Sequence, residues 1–247
     1  MKDWVFLASD TQATFGPFKT QHNAKIEIVR FACGNSCLLT FSDRFKGFRL
    51  MVDTFSELAA KKRWVSPFTA RDTFEEAIAK ARFKLWETRP KNAYTDKEMR
   101  DWRLGYGASL FLAYIHGGSP FFFKADLLGG PVISETADPF YADGSGQLVA
   151  SHTLGSFNLA KLSRAEAVAV CVYSVAACVR SDPACGKPIH VAVIKGNYPV
   201  PETEIYPQDM IGRFSRVTEK VADEISRQLL QKISLRYSSA AKDFDLE

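Results

Sequence analysis

The chain of 247 residues lacks most of the short patterns that announce a chemistry. It holds no GxxxxGK[ST] phosphate loop, no GxGxxG after a strand and no GxSxG elbow, which argues against kinase, dehydrogenase and α/β-hydrolase chemistry. Its five cysteines (Cys33, Cys37, Cys171, Cys178 and Cys185) are odd in number and include no CxxC pair. Its four histidines form no HxxxH or HExxH pattern, so no metal site is expected. No apolar run approaches about 18 residues, which predicts no membrane span. The opening MKDWVFLASD has too short an apolar run for a signal peptide. Net charge is only +4 with both signs mixed, so no basic block calls for nucleic acid or an anionic membrane. No internal repeat and no Pro/Gly linker divides the chain. What remains is an ordinary globular composition, 46% hydrophobic and 24% charged, enough for a core of normal size. The expectation is a cytoplasmic protein with buried free thiols, one domain over 1–247 and no cofactor.

The periodicity sorts the chain into elements. Trp4–Ala8 is a short apolar strand, Ile26–Phe31 alternates as a strand, and Gly34-Asn35 turns it into a second strand over Ser36–Phe41. Polar and small residues fill the interval after Ser9. Phe48, Met51, Val52, Phe55 and Leu58 recur at helical spacing within Asp43–Lys62. Trp64–Thr69, with Pro67, reads as a loop, and Asp72 as the N-cap of a second helix facing inward through Phe74, Ile78, Ala81 and Leu85. Glu87–Asp101 reads as a loop. Ala108–Ile115 and Pro120–Asp126 form a hairpin through His116-Gly117-Gly118-Ser119, and Gly129-Gly130 turns into a further strand over Pro131–Thr136.

Gly144-Ser145-Gly146 opens an apolar helix. A second helix starts at Ser163, where Ser163 and Glu166 have capping-box spacing, and stops near Pro183 and Gly186. Ile189–Ile194 alternates as a strand. Tyr198–Pro207, with three prolines, reads as irregular. Asp209–Ile233 is one helix, or two broken near Gly212, with the stripe Val217, Val221, Ile225, Leu229 and Ile233; the whole helix is placed at about 209–235. The polar tail 238–247 is expected to fray. Strands grouped ahead of helix pairs place the chain in the α+β class.

The order within Tyr141–Gly196 resembles the C-terminal half of proteasome-type subunits, in which a Gly-Ser-Gly turn leads into a helix pair and an Asp in a small-residue turn precedes the last central strand. Lys2–Thr14 (KDWVFLASDTQAT) is similar to the second strand and turn of the same subunits. It is also similar to those of the related bacterial peptidase that works with an ATP-driven unfoldase, which Gln12–Gly16 resembles particularly. Asp10 and Thr14 match the acid and the threonine of that turn, and Lys25 matches the lysine before the next strand. The match runs from Lys2 to Ile194, with 63–106 matching only in helix pattern.

The resemblance implies a four-layer α-β-β-α sandwich of two mainly antiparallel sheets. It also implies threonine-type peptide-bond hydrolysis by an N-terminal nucleophile whose own amine is the general base. Carried over residue by residue, Lys25 is the lysine beside the threonine hydroxyl and Asp10 its carboxylate partner. Ser145 and Asp182 hydrogen-bond around the amine. A second family serine is Cys185 here, a weaker donor. Implied partners are like subunits in a ring, an ATP-dependent unfoldase and polypeptide substrates.

The sequence from Met1 holds no Thr ahead of Asp10, where the family places a whole strand and the nucleophile. Leu39-Thr40 lies near the glycine that the family sets beside the substrate carbonyl, and no oxyanion donor is assigned. Each residue also has a plainer role. Asp10 suits an Asx turn and Lys25 a solvated charge, while Ser145 suits a helix cap and Asp182 a turn acid. Two readings therefore stand beside an active peptidase subunit: a non-catalytic ring subunit, or a monomeric binding domain of the same fold.

Overall fold

The computed structural model describes residues 4–10, 12–15, 18–21, 25–43, 45–63, 65–89, 97, 99, 102, 106–135, 140–196 and 202–243. Ten strands and five α-helices lie within them. The strands are β1 (Trp4–Asp10), β2 (Gln12–Phe15), β3 (Phe18–Gln21), β4 (Ile26–Arg30), β5 (Ser36–Asp43), β6 (Ala108–His116), β7 (Ser119–Asp126), β8 (Gly129–Glu135), β9 (Ile189–Lys195) and β10 (Glu202–Ile205). The helices are α1 (Phe45–Ala59), α2 (Pro67–Glu87), α3 (Gln147–Gly155), α4 (Arg164–Ser181) and α5 (Gln208–Asp243).

β4 to β8 form a five-stranded antiparallel meander, joined in chain order. The β6–β7 turn puts Gly117 and Gly118 at φ 57° and 76°, the left-handed region a two-residue hairpin requires. A second sheet runs β1-β9-β10, with β9 central and both pairings antiparallel. β2 and β3 make a small separate hairpin.

Three apolar clusters show how the layers stack. The largest lies between α1 and α2 and one face of the five-stranded sheet, through Leu39, Phe48, Phe55, Phe74, Leu110 and Leu112. The second lies between the two sheets, through Val5, Ile26, Leu38, Ile115, Ala192 and Ile194. The third joins the three-stranded sheet to α4 and α5, through Val168, Val172, Val191, Val193 and Ile211. Successive residues of one strand therefore enter different clusters: Leu38 faces the other sheet and Leu39 faces the helices. That is why β5, β6 and β9 read as continuous apolar runs. The fold is the α+β, four-layer α-β-β-α sandwich that the resemblance implies.

Several elements differ from expectation. α2 starts at Pro67, not Asp72: Ser66 is the N-cap, accepting from the Thr69 N–H at 3.1 Å, and Pro67 occupies the first helical turn, where its missing N–H costs nothing. β2 and β3 occupy the stretch of polar and small residues with no expected element, and β10 pairs with β9 inside the proline-rich segment expected to be irregular. α5 is one helix of 36 residues, unbroken at Gly212, and it continues through most of the expected tail to Asp243, with 244–247 outside the described residues. The expected loop Glu87–Asp101 falls largely outside them too. The capping box of α4 is present, with Ser163 N–H donating to Glu166 at 2.7 Å and Glu166 N–H to Ser163 Oγ at 3.4 Å.

Candidate active site

β1 delivers Asp10 at its last position, opposite Ile189 of β9. Lys25 stands just before β4, so it reaches Asp10 from the other sheet. The two form an ion pair of 2.6 Å whose side chains are only 12% and 14% exposed. The second Asp10 oxygen accepts from the Gly186 N–H at 3.0 Å. A charge this far from water is tolerable because its partner and a backbone donor share it. The Lys25 ammonium also lies 5.9 Å from the Phe41 ring centroid.

Two turns close on this pair. In the first, Gly144 takes φ 91°, left-handed, and Ser145 and Gly146 follow into α3. A Cβ on Gly146 would lie 2.9 Å from Cys178 Sγ and 3.3 Å from Cys185 Sγ, so only glycine fits. In the second turn, at the end of α4, Asp182 accepts from the Ala184 N–H at 2.8 Å, as an Asx turn does. Cys185 Sγ lies 3.7 Å from the other Asp182 oxygen and 3.9 Å from Ser145 Oγ. Cys178 donates to the Gly146 carbonyl at 3.3 Å. Asp10, Lys25, Ser145 and Asp182, scattered over more than 170 positions of sequence, thus meet around Cys185 and Gly186.

Burial, then Asp10 and Asp182, push the Cys185 thiol up to about 11, and the same causes in the same order raise Cys178. Both thiols are protonated at neutral pH and serve as weak donors. Lys25 is the cation of the cluster, and it would favour the ionised form of a hydroxyl placed beside it. No group of three or more His, Cys, Asp or Glu among the described residues is arranged to hold a metal. No helix among them is long and apolar enough to cross a membrane.

Sequence reasoning missed a second network beside the first turn. Asp143 accepts from Ser42 Oγ at 2.7 Å and faces Lys124 at 3.5 Å, and Lys124 donates to Tyr141 Oη at 2.7 Å. These bonds tie the Ser145 turn to β5 and β7. The signal was present, since Asp143 directly precedes Gly144-Ser145-Gly146, but nothing marked its partners 101 and 19 positions away. Also missed was Ser9, whose buried hydroxyl has no hydrogen-bond partner among the described residues and which stands opposite His190 across the β1–β9 ladder. Leu39 is fully buried against the helices and does not face the site. Thr14 lies on β2, with its side chain outside what is described. β1 pairs with β9 on one side, and its other edge carries no strand among the described residues.

No protein-family model and no curated protein matches the chain. Solved structures do. A Gly-1 mutant of Anbu from Hyphomicrobium sp. strain MC1 is 18% identical, with a TM-score of 0.65 over 93% of this chain and 94% of that one. Anbu from Yersinia bercovieri, described as an ancestral beta-subunit, is 13% identical with a TM-score of 0.65 over 92% and 94%. Anbu from Pseudomonas aeruginosa, solved as a helical assembly, is 16% identical with a TM-score of 0.65 over 92% and 91%. At such identities the likeness is one of fold, and the chain carries that proteasome-like fold along nearly its whole length.

Proposed function

We propose that the chain is a single-domain subunit of a proteasome-like assembly, built for threonine-type hydrolysis of peptide bonds. The observation that carries this is the shielded Lys25–Asp10 pair, with Ser145, Asp182 and Cys185 gathered beside it. In this reading the nucleophile is an N-terminal threonine ahead of Met1, on a strand along the open edge of β1. Lys25 would lower the pKa of its hydroxyl. Its α-amine, held by Ser145 and Asp182, would act as general base through a water. Asp10 would orient Lys25. Like subunits and polypeptide substrates are the proposed partners, with an ATP-driven unfoldase feeding the assembly in the cytoplasm. The Anbu structure solved as a helical assembly supports association with like subunits.

The test is the true N-terminal residue of the mature protein, followed by hydrolysis of fluorogenic peptides. An N-terminal Thr, with turnover abolished by Lys25→Ala, is the expected result. Folded protein without turnover, and without reaction with epoxyketone inhibitors, would overturn it. That outcome would favour the second reading, a non-catalytic subunit, which Cys185 in the place of a stronger hydroxyl donor supports. Sedimentation as a monomer would point instead to a binding domain of the same fold.

A further inference from the structure

We propose that Cys178 and Cys185 are an oxidation site, closing an intrachain disulfide beneath the Gly144-Ser145-Gly146 turn when the protein meets a peroxide. Both sulfurs crowd one point, the place a Gly146 Cβ would take, at 2.9 and 3.3 Å. They are therefore no more than about 6 Å apart, while the bond itself spans about 2 Å. Cys178 sits in the last turn of α4, and the Cys185 N–H donates to the Asp182 carbonyl at 3.0 Å, which turns the chain back over that helix end. Among the described residues, two long sulfur contacts, at 3.7 and 3.9 Å, hold the Cys185 side chain, so swinging it toward Cys178 gives up little.

The remaining thiols stand apart from this site. Cys37 is fully buried under α1 and α2, and Cys171 packs toward the cluster between α4 and the three-stranded sheet. Cys33 also packs against the α1 and α2 cluster.

The chemistry balances with hydrogen peroxide as the oxidant. Cys185, the more exposed of the pair, attacks one peroxide oxygen, cleaving the O–O bond and giving a sulfenic acid and water. Cys178 sulfur then attacks the sulfenic sulfur, expelling a second water, so two thiols and one hydrogen peroxide become a disulfide and two waters. Thiolate is the attacking form; burial, then Asp10 and Asp182, oppose it at Cys185 while the Ser145 hydroxyl favours it, so the reaction is slow at neutral pH and quickens as pH rises. Oxidation withdraws the Cys178 hydrogen bond from the Gly146 carbonyl and the Cys185 hydrogen from Asp182. The site thus carries two states of donors around Ser145. None of this requires the peptidase reading.

The experiment is mass spectrometry of the full chain, treated with hydrogen peroxide at about pH 8.5, alkylated and digested with trypsin without reductant. Cleavage after Arg180 separates Cys178 from Cys185, because Lys187 precedes a proline and stays uncut. The expected result is that peptides 165–180 and 181–195 travel as one species, lighter than their sum by two hydrogens. The same species should form in Cys171→Ser and be lost in Cys178→Ser. Oxidation of Cys185 to sulfinic acid without the link would overturn the proposal. So would a link that survives Cys178→Ser, which would assign it to Cys171. So would an unmodified Cys185 in molecules whose exposed Met210 has become the sulfoxide.

Discussion

The two halves of the sandwich are built differently. Behind the five-stranded sheet the core is aromatic: Phe31, Phe41, Phe48, Phe55, Phe74, Tyr114 and Phe123 are all buried there. Phe41 stacks on Phe48 with centroids 4.2 Å apart, and Phe55 meets Phe74 edge-on at 5.8 Å. Behind the three-stranded sheet the core is smaller and mostly aliphatic, with Tyr206 its one buried ring among the described residues. That thinner half supplies Asp10, Asp182, Cys185 and Gly186. The thicker half supplies the cation, Lys25, and clamps the Ser145 turn through Ser42 and Lys124. A well-packed scaffold thus presents a positive charge to a less heavily packed layer that carries the acids and thiols, and the Asp10–Lys25 pair staples the two.

The largest expected effect tests the difference in packing. Phe55→Ala should cost about 3–5 kcal/mol in urea unfolding and Ile189→Ala about 2 kcal/mol; equal losses would remove the contrast. Next comes the staple. Lys25→Met leaves the Asp10 carboxylate buried without its ammonium partner and should cost about 3 kcal/mol. Adding Asp10→Asn should restore most of that, and a double variant no more stable than the single would show that the pair does not couple the halves.

Gly146→Ala should cost about 1–3 kcal/mol through its clash with the Cys178 Cβ and Sγ, and Cys178→Gly, which removes both atoms, should cost less in the Gly146→Ala chain than in the parent. A thermal melt unchanged by Gly146→Ala would show that α3 shifts freely on α4. The smallest effect is a slope. Burial lowers the His190 imidazole below its ordinary 6.5, so the unfolded chain takes up its proton first. Its contribution is complete above about 6.5 and is lost as pH falls through the lower folded value. His190→Gln should flatten the decline between about pH 7 and pH 5. Parallel declines in the two proteins would show that His190 is not its source.

Most of this architecture was legible in sequence because burial on two faces leaves strong signals. β1, β4, β5, β6, β7 and β9 appear as apolar or alternating runs, and the α4 capping box predicts its own helix start. Pro67 misled because proline usually ends a helix, yet here it begins one. β2, β3 and β10 were not legible, being four-residue strands of mixed polarity whose pairing comes from partners rather than from their own pattern. In the site, Asp10, Lys25, Ser145 and Asp182 were named through resemblance and order along the chain. Ser42, Asp143 and Lys124 were not, because a hydroxyl–carboxylate–ammonium chain assembled from three distant segments leaves no local spacing to read.

The crowding at Gly146 has an evolutionary consequence. Its backbone, at φ −81°, is open to any residue, so nothing intrinsic to the turn demands glycine. The demand comes from the Cβ and sulfur of Cys178, on another helix, and from the sulfur of Cys185 at its exit. Positions 146, 178 and 185 should therefore change together across related sequences: a side chain at 146 becomes acceptable only after the residues at 178 and 185 have shrunk. A lineage that replaces the cysteine at the end of α4 with glycine is released to explore the turn that carries Ser145, while one that keeps both thiols is held to glycine there.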